Sequence, residues 1–402
     1  MTIEESTSPA AAAPGPQEPP KSTGAYAPDK ALAWPERLEA LKAGRQPYPV
    51  HVQVIPSDLC NRDCGYCAYR ASGYSSSTLF GEKRADGSIN RNPNRMLDRE
   101  LLFRILDDCL AMGVRAISAT GGGEPTLHPN IVEFLRKAQS YRIATALITN
   151  GLLLGRTPGL LAATVAGAWA RISIDAATEK TFGVVRPGLG GPRGADLRLV
   201  LRNLAALRAL RDADRASCTI GASFVAQKEN WREIYDAVKI YREQGADNVR
   251  ISGTFSTEGS RYFDGWREEA EELERRAVAD FDGKDGFRVH GRLCEKAADL
   301  DHGAPSIERC WYQEFTTYIG GDGRLYRCCV YAFHPRGLIG DLREAGGFKA
   351  LWDSTHKQED FARFRAPGCD HCQFLDRLAA IDAAVKAPTL PIAPEFIHPG
   401  FV

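Results

Sequence analysis

The sequence predicts an α/β fold in which a parallel sheet built from six βα units is followed by a smaller, cysteine-rich unit. Short apolar runs typical of strands alternate with helical segments from about residue 50 to residue 252. Such alternation indicates parallel strands joined by right-handed crossovers. After about residue 285 the alternation stops, and most of the remaining cysteines occur there. With 402 residues, the chain is long enough for a large barrel and an additional unit.

The predicted elements follow one another in regular order. Alternating or continuous apolar runs predict strands at residues 50–55, 115–120, 143–149, 170–175, 218–226 and 248–252. Helical spacing of apolar residues predicts helices at residues 35–42, 98–112, 130–141, 158–168, 196–211 and 231–244. The cysteine-rich unit contains a predicted hairpin, with strands at residues 315–319 and 325–330.

Four segments are expected from these patterns. Residues 1–28 are rich in Ala, Pro, Ser and Gly and predict a disordered tail. Residues 29–285 form the barrel domain, residues 286–375 the cysteine-rich domain and residues 376–402 a C-terminal extension. Within the barrel, residues 69–96 are polar and too long for an ordinary loop, so we interpret them as an active-site lid.

Composition excludes several classes of function. Lys plus Arg and Asp plus Glu both number 51, so the balance of charge favours neither a nucleic-acid partner nor a membrane surface. No run of apolar residues is long enough to cross a membrane, and the N-terminus does not resemble a secretory signal. Eleven clustered cysteines indicate metal binding and not disulfides. We therefore expect a cytoplasmic protein.

Three cysteines lie within eight residues, directly after the first predicted strand. Cys60, Cys64 and Cys67 have the spacing C-x3-C-x2-C, and Tyr66 places an aromatic ring beside them. Thiolates select iron–sulfur clusters, zinc or Cu(I). A four-iron cluster normally takes four protein ligands, so three would leave one iron open for chemistry. A zinc site with a distant fourth ligand remains the alternative.

A glycine-rich segment follows the second predicted strand. Gly121, Gly122 and Gly123 precede Glu124 and Pro125, and consecutive glycines allow a backbone to approach a ligand closely. By itself this segment could equally be an ordinary turn. In a parallel barrel, however, the loops after the strands meet at one rim, so this segment and the cysteines are expected to converge.

Together these motifs resemble those of the radical S-adenosylmethionine (SAM) enzymes. The family's C-x3-C-x-aromatic-C motif matches Cys60 to Cys67, and its Gly-Gly-Glu-Pro motif matches residues 122–125. The segments 149–151 and 172–175 also resemble family members, so the likeness covers roughly residues 48–255. The resemblance implies a partial (β/α)6 barrel that is similar to a TIM barrel, and a [4Fe–4S] cluster whose open iron binds SAM.

The resemblance also implies which residues bind SAM. Gly122, Gly123 and Glu124 form the cofactor loop, with the first two along the SAM amino group, and Tyr66 lies near the adenine. A strand-four serine and a following arginine approach the SAM carboxylate in related enzymes. Ser173 and Arg186 are the candidates, although Arg193 and Arg202 lie in the same region. The activity implied is reductive cleavage of SAM to a 5′-deoxyadenosyl radical, which abstracts a substrate hydrogen atom.

The C-terminal cysteines resemble those of the twitch domain, a shortened relative of the SPASM domain, in the form found in 2-deoxy-scyllo-inosamine dehydrogenase. Cys310, Cys328, Cys369 and Cys372 supply the four thiolates of a second, auxiliary [4Fe–4S] cluster. Cys329 makes the second ligand ambiguous, and Cys328 is preferred for its spacing from Gly323. A four-cysteine zinc site is the alternative, and Cys294 is left unassigned.

These expectations lead to three hypotheses about function. The first is net oxidation of a carbohydrate-like metabolite or a peptide side chain by an oxidoreductase, with the auxiliary cluster accepting an electron. The second is maturation of a ribosomally made peptide by cross-linking or epimerisation. Residues 1–48 are short and polar, unlike the N-terminal peptide-binding domain that such maturases often carry, and this favours the first hypothesis.

The third hypothesis is a zinc-stabilised binding protein without catalysis. For either enzyme, the expected partners are a small-molecule or peptide substrate and an electron donor such as flavodoxin or ferredoxin. No single residue stands out as the acid or base that acts on the substrate.

Overall fold

A computed structural model of the chain describes residues 24–74, 78–194, 196–293, 300–301 and 303–402. Most of the predicted tail, residues 1–23, therefore lies outside the described residues, as does Cys294. The described part of the chain forms an α/β structure around one ten-stranded sheet. None of its helices is long and apolar enough to cross a lipid bilayer.

Seven parallel strands form the barrel wall in chain order. They are β1 (His51–Val54), β2 (Ala116–Ala119), β3 (Ala144–Thr149), β4 (Trp169–Ser173), β5 (Thr219–Ala226), β6 (Asn248–Gly253) and β7 (Arg288–Arg292). Each pairs in parallel with the next. The strands contribute buried apolar side chains such as Val52, Ile117 and Ile172, which belong to the core formed with the helices. The predicted α/β barrel is confirmed.

Eight helices belong to this part of the described chain. They are α1 (Pro35–Lys42), α2 (Arg99–Ala111), α3 (Ile131–Ser140), α4 (Leu160–Val165), α5 (Glu179–Val185), α6 (Asp196–Ala213), α7 (Ile234–Glu243) and α8 (Arg267–Phe281). Asp98 caps α2 by accepting a hydrogen bond from the amide of Leu101 at 2.8 Å. The apolar faces of the helices and the outer face of the sheet form one continuous core.

The cysteine-rich unit shares its sheet with the barrel. Its strands are β8 (Thr316–Ile319), β9 (Arg324–Tyr326) and β10 (Leu338–Asp341). The predicted hairpin is β8 and β9, and β8 also pairs in parallel with β1. The four residues of β8 are fully buried, because β8 lies between two other strands. The sheet therefore runs from the barrel into the second unit without a break.

Three helices complete the described C-terminal part: α9 (Phe348–Trp352), α10 (Thr355–Arg363) and α11 (Leu375–Lys386). The chain then returns to the N-terminal ends of the barrel strands. Phe401 packs there against His51 and Trp169, with ring centroids 5.3 and 5.4 Å away. Thr316 Oγ1 donates a hydrogen bond to Val402 O at 3.0 Å. The last residues thus close one end of the barrel.

Candidate active site

The loop after β1 carries Cys60, Cys64 and Cys67, which are half-buried free thiols. The amide of Cys67 donates to Cys64 O at 3.2 Å, and the amide of Arg62 donates to Cys60 Sγ at 3.4 Å. Burial, together with the negative charge of Glu124, raises the pKa of Cys60 to about 12. Burial and the neighbouring Cys64 raise the pKa of Cys67 to about 11. The bare loop therefore holds its cysteines as neutral thiols.

This donor set fits an iron–sulfur cluster. Thiolate is the form that binds metal, and positively charged iron removes the electrostatic penalty that keeps these thiols protonated. Among the described residues, no three His, Cys, Asp or Glu side chains surround one point closely enough to hold a single metal ion. A cluster of four irons instead requires its cysteine ligands to lie around a larger centre. Cys60, Cys64 and Cys67 are close enough to raise one another's pKa, as such a centre requires, and their assignment as three of its ligands stays a prediction.

The glycine-rich segment packs directly on the cysteine loop. The amide of Glu124 donates to Leu59 O at 2.8 Å. A Cβ at Gly123 would lie 2.2 Å from that same carbonyl oxygen, and a Cβ at Gly122 would lie 2.7 Å from the Phe80 ring. Neither position has room for a side chain. The glycines are therefore required for the contact between the two loops, and their role along the SAM amino group stays a prediction.

Glu124 ties together the loops after β2 and β3. Its Oε1 accepts hydrogen bonds from Thr126 N at 3.1 Å, Thr126 Oγ1 at 2.6 Å and Thr149 Oγ1 at 2.6 Å. Its Oε2 accepts from the amide of Asn150 at 2.8 Å. Asn150 then donates to Asn61 Oδ1 in the cysteine loop at 2.7 Å. The hydrogen bonds of this carboxylate thus go to protein groups, and its predicted role in cofactor binding stays a prediction.

The described part of the predicted lid, residues 69–74 and 78–96, covers the two loops. Asn92 Nδ2 donates to Asp58 O and to Gly122 O, both at 2.9 Å, and so bridges the cysteine loop and the glycine-rich loop. Phe80 is fully buried and packs against Phe333 of the cysteine-rich unit at 5.0 Å between ring centroids. This segment shields the loops from solvent by fixed contacts on both sides.

Tyr66, Asp175 and Arg186 form a hydrogen-bonded group at the same rim. Arg186 Nη1 donates to the Tyr66 hydroxyl at 2.6 Å and to Asp175 Oδ2, and the Tyr66 hydroxyl also donates to Asp175 Oδ2. Burial raises the pKa of Tyr66 well above its usual range. Burial alone would lower the pKa of Arg186, but Tyr66, Cys64 and Asp175 outweigh it and raise that pKa. Arg186 therefore places a permanent positive charge beside the cysteine loop.

Asp175 is the site residue that the sequence analysis did not single out. It follows β4 with a left-handed backbone (φ of 61°), and its Oδ1 accepts from the amide of Val225 at 2.8 Å. Asn230 Nδ2 donates to Asp175 O at 2.9 Å. Its position at the C-terminal end of a parallel strand was the available signal. Ser173, the predicted SAM ligand, lies half-buried at the end of β4 in register with Ser223, and its role stays a prediction.

The four predicted auxiliary cysteines converge in the second unit. Burial raises the pKa of Cys310 to about 12, with further contributions from Cys372 and Cys369. Burial also raises the pKa of Cys328, where Cys329, Cys310 and Cys369 add to the effect. Four half-buried thiols whose charges raise one another's pKa fit a closed cluster site.

Cys329 has different surroundings from Cys328. It packs beside a buried group of Tyr and Phe side chains and lines a cavity inside the barrel. Cys328, in contrast, lies close enough to Cys310 and Cys369 for both to raise its pKa. These surroundings favour Cys328 as the auxiliary ligand, an assignment that remains a prediction.

The cavity inside the barrel has a volume of about 230 Å³. Strand residues His51, Ser118, Arg171 and Arg250 line its wall, and Phe401 lies at the end closed by the C-terminus. Gln373, Phe374 and Tyr312 line it from the side of the cysteine-rich unit. One enclosed space is thus bounded by both parts of the molecule.

Comparison with known proteins agrees with this geometry. Residues 54–222 match the model of the radical SAM superfamily, and residues 310–373 match the SPASM iron–sulfur cluster-binding domain. The chain is 29% identical to the PqqA peptide cyclase of Gluconobacter oxydans over 73% of this chain and 72% of that protein. It is 26% identical to the mycofactocin maturase MftC of Mycobacterium ulcerans over 72% and 75%.

A solved structure shares the fold. SuiB of Streptococcus suis bound to S-adenosylmethionine superposes with a TM-score of 0.57 at 15% identity, covering 84% of this chain and 74% of SuiB. The cysteine loop, the glycine-rich loop and the auxiliary cysteines lie within the residues that the two family models match. The chain is therefore a radical SAM enzyme that uses SAM and a [4Fe–4S] cluster, and it carries a C-terminal SPASM-type domain for auxiliary iron–sulfur binding.

Proposed function

We propose that this enzyme modifies a peptide. The observation that carries the proposal is the match to the PqqA peptide cyclase, which extends over nearly three quarters of both chains. A structure of SuiB bound to the precursor peptide SuiA has the same fold, with a TM-score of 0.52. These relatives favour peptide maturation, the second hypothesis from the sequence, over the first, which was net oxidation of a carbohydrate-like metabolite or a peptide side chain. An oxidoreductase outcome, such as a new bond formed with loss of two electrons, is part of the proposal.

The residues of the rim have distinct parts in this function. When bound, SAM and the reduced cluster supply a 5′-deoxyadenosyl radical that abstracts a hydrogen atom from the substrate. Cys60, Cys64 and Cys67 hold the cluster and leave one iron position for SAM. Tyr66 and Arg186 are held rigid by Asp175, so the polar wall beside that position is fixed before SAM binds. The packed segment 78–96 keeps water away from the reacting atoms.

The second unit supplies the site for the auxiliary cluster. We propose Cys310, Cys328, Cys369 and Cys372 as its four ligands, on the basis of their convergence next to the barrel cavity. Flavodoxin or ferredoxin is the proposed electron donor, and the cytoplasm is the proposed location.

The test begins with protein that is reconstituted anaerobically. We expect about eight irons per chain for two [4Fe–4S] clusters, and formation of 5′-deoxyadenosine from SAM and dithionite. A Cys64→Ala variant should form none. Formation of 5′-deoxyadenosine by that variant would contradict the assignment of the SAM-binding cluster.

The substrate is tested by co-expression. Short peptides encoded beside the gene for this enzyme would be co-expressed with it and analysed by mass spectrometry. We expect a mass change in one of them that depends on Cys64. Unchanged peptides, together with oxidation of an amino sugar alcohol by the same enzyme, would return the assignment to carbohydrate oxidation.

A further inference from the structure

We propose that Arg171 and Arg250 bind a carboxylate of the substrate inside the barrel cavity, so that the enzyme selects a peptide with an acidic group near the reacting residue. This inference rests on the proposed function, because it names the class of peptide that the same site would accept.

Arg250 lies on β6 and lines the cavity. Within the described residues it makes no hydrogen bond or ion pair, and its Nε is buried without a partner. Its guanidinium lies over the Tyr26 ring, whose centroid is 5.5 Å from Cζ. A guanidinium has five N–H donors, and a buried donor without an acceptor is unfavourable. Arg250 therefore lines the cavity with a buried Nε donor that no acceptor of the described residues satisfies.

Arg171 lies on β4 and, like Arg250, forms no ion pair with the described residues. It lines the cavity, and its Cζ lies 5.8 Å from the Trp169 ring centroid. The described residues provide no acidic partner for it. In the sheet register, Arg171 lies opposite Gly221, which in turn lies opposite Asn248, two residues before Arg250. Residues at these positions share the inner face, where Gly221 leaves room for the Asn248 side chain, whose Oδ1 would lie 2.7 Å from a Cβ at Gly221.

The surrounding charges do not compensate these two arginines. The other charged groups that line the cavity are Lys30, Arg292, Arg377, Asp376 and the terminal carboxylate of Val402, so the positive charges still outnumber the negative ones. Asp376 is paired with Arg292 at 3.5 Å, so it is engaged elsewhere. Burial, together with the positive charges of Arg171, Arg292 and Arg377, lowers the pKa of Arg250 to about 10. The cavity therefore has an excess of positive charge that an anionic ligand would neutralise.

Carboxylate is the anion that a peptide brings to such a site. Guanidinium and carboxylate groups form two parallel hydrogen bonds, a geometry that fixes orientation as well as position. A peptide carries carboxylates on Asp and Glu side chains and at its C-terminus. Anchoring such a group between β4 and β6 would hold the peptide below the rim where Cys60, Cys64 and Cys67 lie.

A substrate-binding role and a structural role make opposite predictions for stability. If Arg250 is an unsatisfied buried charge kept for binding, Arg250→Gln should unfold at the same or a higher temperature than the parent enzyme without peptide. If Arg250 stabilises the barrel, the same variant should unfold at a lower temperature, and this result would overturn the proposal.

Binding is measured by calorimetry on the anaerobic holoenzyme at fixed ionic strength and millimolar peptide, without reductant. The probes are acetyl-Gly-Glu-Gly-amide, acetyl-Gly-Gln-Gly-amide and acetyl-Gly-Gly-Gly with a free carboxylate. Arg250→Gln and Arg171→Gln are compared with Arg275→Gln, a matched control on α8 whose side chain is 70% exposed. We expect a carboxylate-bearing probe to bind at least about tenfold more tightly than its neutral counterpart, and both cavity variants to lose this preference.

Tight binding of the glutamate probe would identify a side-chain carboxylate as the anchor, and tight binding of the free-acid probe would identify the C-terminus. Equal binding of all three probes, absence of binding, or a preference that survives both cavity substitutions would overturn the proposal. So would an equal loss in Arg275→Gln, because the effect would then reflect net charge alone. Formation of 5′-deoxyadenosine is measured separately, so a failure of the proposed function is distinguished from a failure of carboxylate binding.

Discussion

A buried ion pair between Glu314 and Lys357 offers a quantitative test of how the SPASM-type domain is held together. Lys357 Nζ lies 2.9 and 3.0 Å from the two carboxylate oxygens of Glu314, and both side chains are at most 1% exposed. Glu314 ends the 3-10 helix that follows Cys310, whereas Lys357 lies on α10, which leads toward Cys369. The pair therefore connects two segments that carry auxiliary cysteines. We predict that Lys357→Met destabilises this domain.

The expected cost follows from the burial of the partner. Removing one member of a buried ion pair leaves the other charge without compensation, which typically costs about 3–5 kcal/mol. Burial already raises the pKa of Glu314, and Lys357 opposes that rise. Once Lys357 is absent, Glu314 can take up a proton, which places the cost at the lower end, about 3 kcal/mol. The double variant Lys357→Met with Glu314→Leu removes both charges and should recover most of the loss.

Two measurements on anaerobic holoenzyme test this reasoning. Denaturant unfolding gives the change in stability, and iron retained after exposure to a chelator should fall from about eight toward about four per chain in the single variant. Lys386→Met is the matched control, because its pair with Asp382 on α11 leaves the lysine 73% exposed and should contribute less than about 1 kcal/mol. A single variant within about 1 kcal/mol of the parent, or a double variant no more stable than the single one, would refute the reasoning.

Three further predictions concern the barrel. In Gly123→Ala the new Cβ would lie 2.2 Å from a backbone oxygen, so we expect this variant to lose most 5′-deoxyadenosine formation. Gly190→Ala is the control, because the space around Gly190 is open, and it should keep its activity. Equal activities of the two variants would contradict the packing argument. Burial lowers the pKa of His51 to about 3, against about 6.5 in the unfolded chain. Because only the unfolded chain takes up the proton, the free energy of unfolding should fall by about 1.4 kcal/mol per pH unit below pH 6.5. Denaturant titrations at several pH values should show a weaker dependence on pH for a His51→Asn variant. Asp175→Asn leaves the buried Arg186 without its carboxylate partner, so we expect the free energy of unfolding to fall by about 3 kcal/mol. An unchanged free energy of unfolding would show that Asp175 does not compensate the charge of Arg186.

The parts of the site that the sequence predicted are those encoded locally. Cys60, Cys64 and Cys67 occupy one short loop, and their spacing alone indicates a shared metal centre. The glycine-rich segment could be placed near them because loops after parallel strands meet at one rim. The structure confirms that meeting: the amide of Glu124 bonds to Leu59 O in the cysteine loop.

The parts that the sequence did not predict depend on contacts between distant segments. β8 pairs in parallel with β1 across more than 250 residues, and nothing in the apolar alternation of either strand specifies its neighbour. Arg171 and Arg250 lie within strands whose residues alternate between the two faces of the sheet. Which face is the barrel interior depends on register, so the sequence alone does not show that these two arginines line a cavity.

The consecutive cysteines at 328 and 329 connect the two halves of the proposed chemistry. Cys310 and Cys369 contribute to the raised pKa of Cys328, whereas Cys329 lines the barrel cavity. Because the two residues are adjacent in the chain, the proposed ligand Cys328 directly precedes a residue of the cavity wall. A substrate anchored at Arg171 and Arg250 would therefore lie in a cavity next to the proposed auxiliary site. Such a position suits a reaction in which a hydrogen atom is abstracted from the substrate and an electron then passes to the auxiliary cluster. It also gives a structural reason for the sheet that the two domains share.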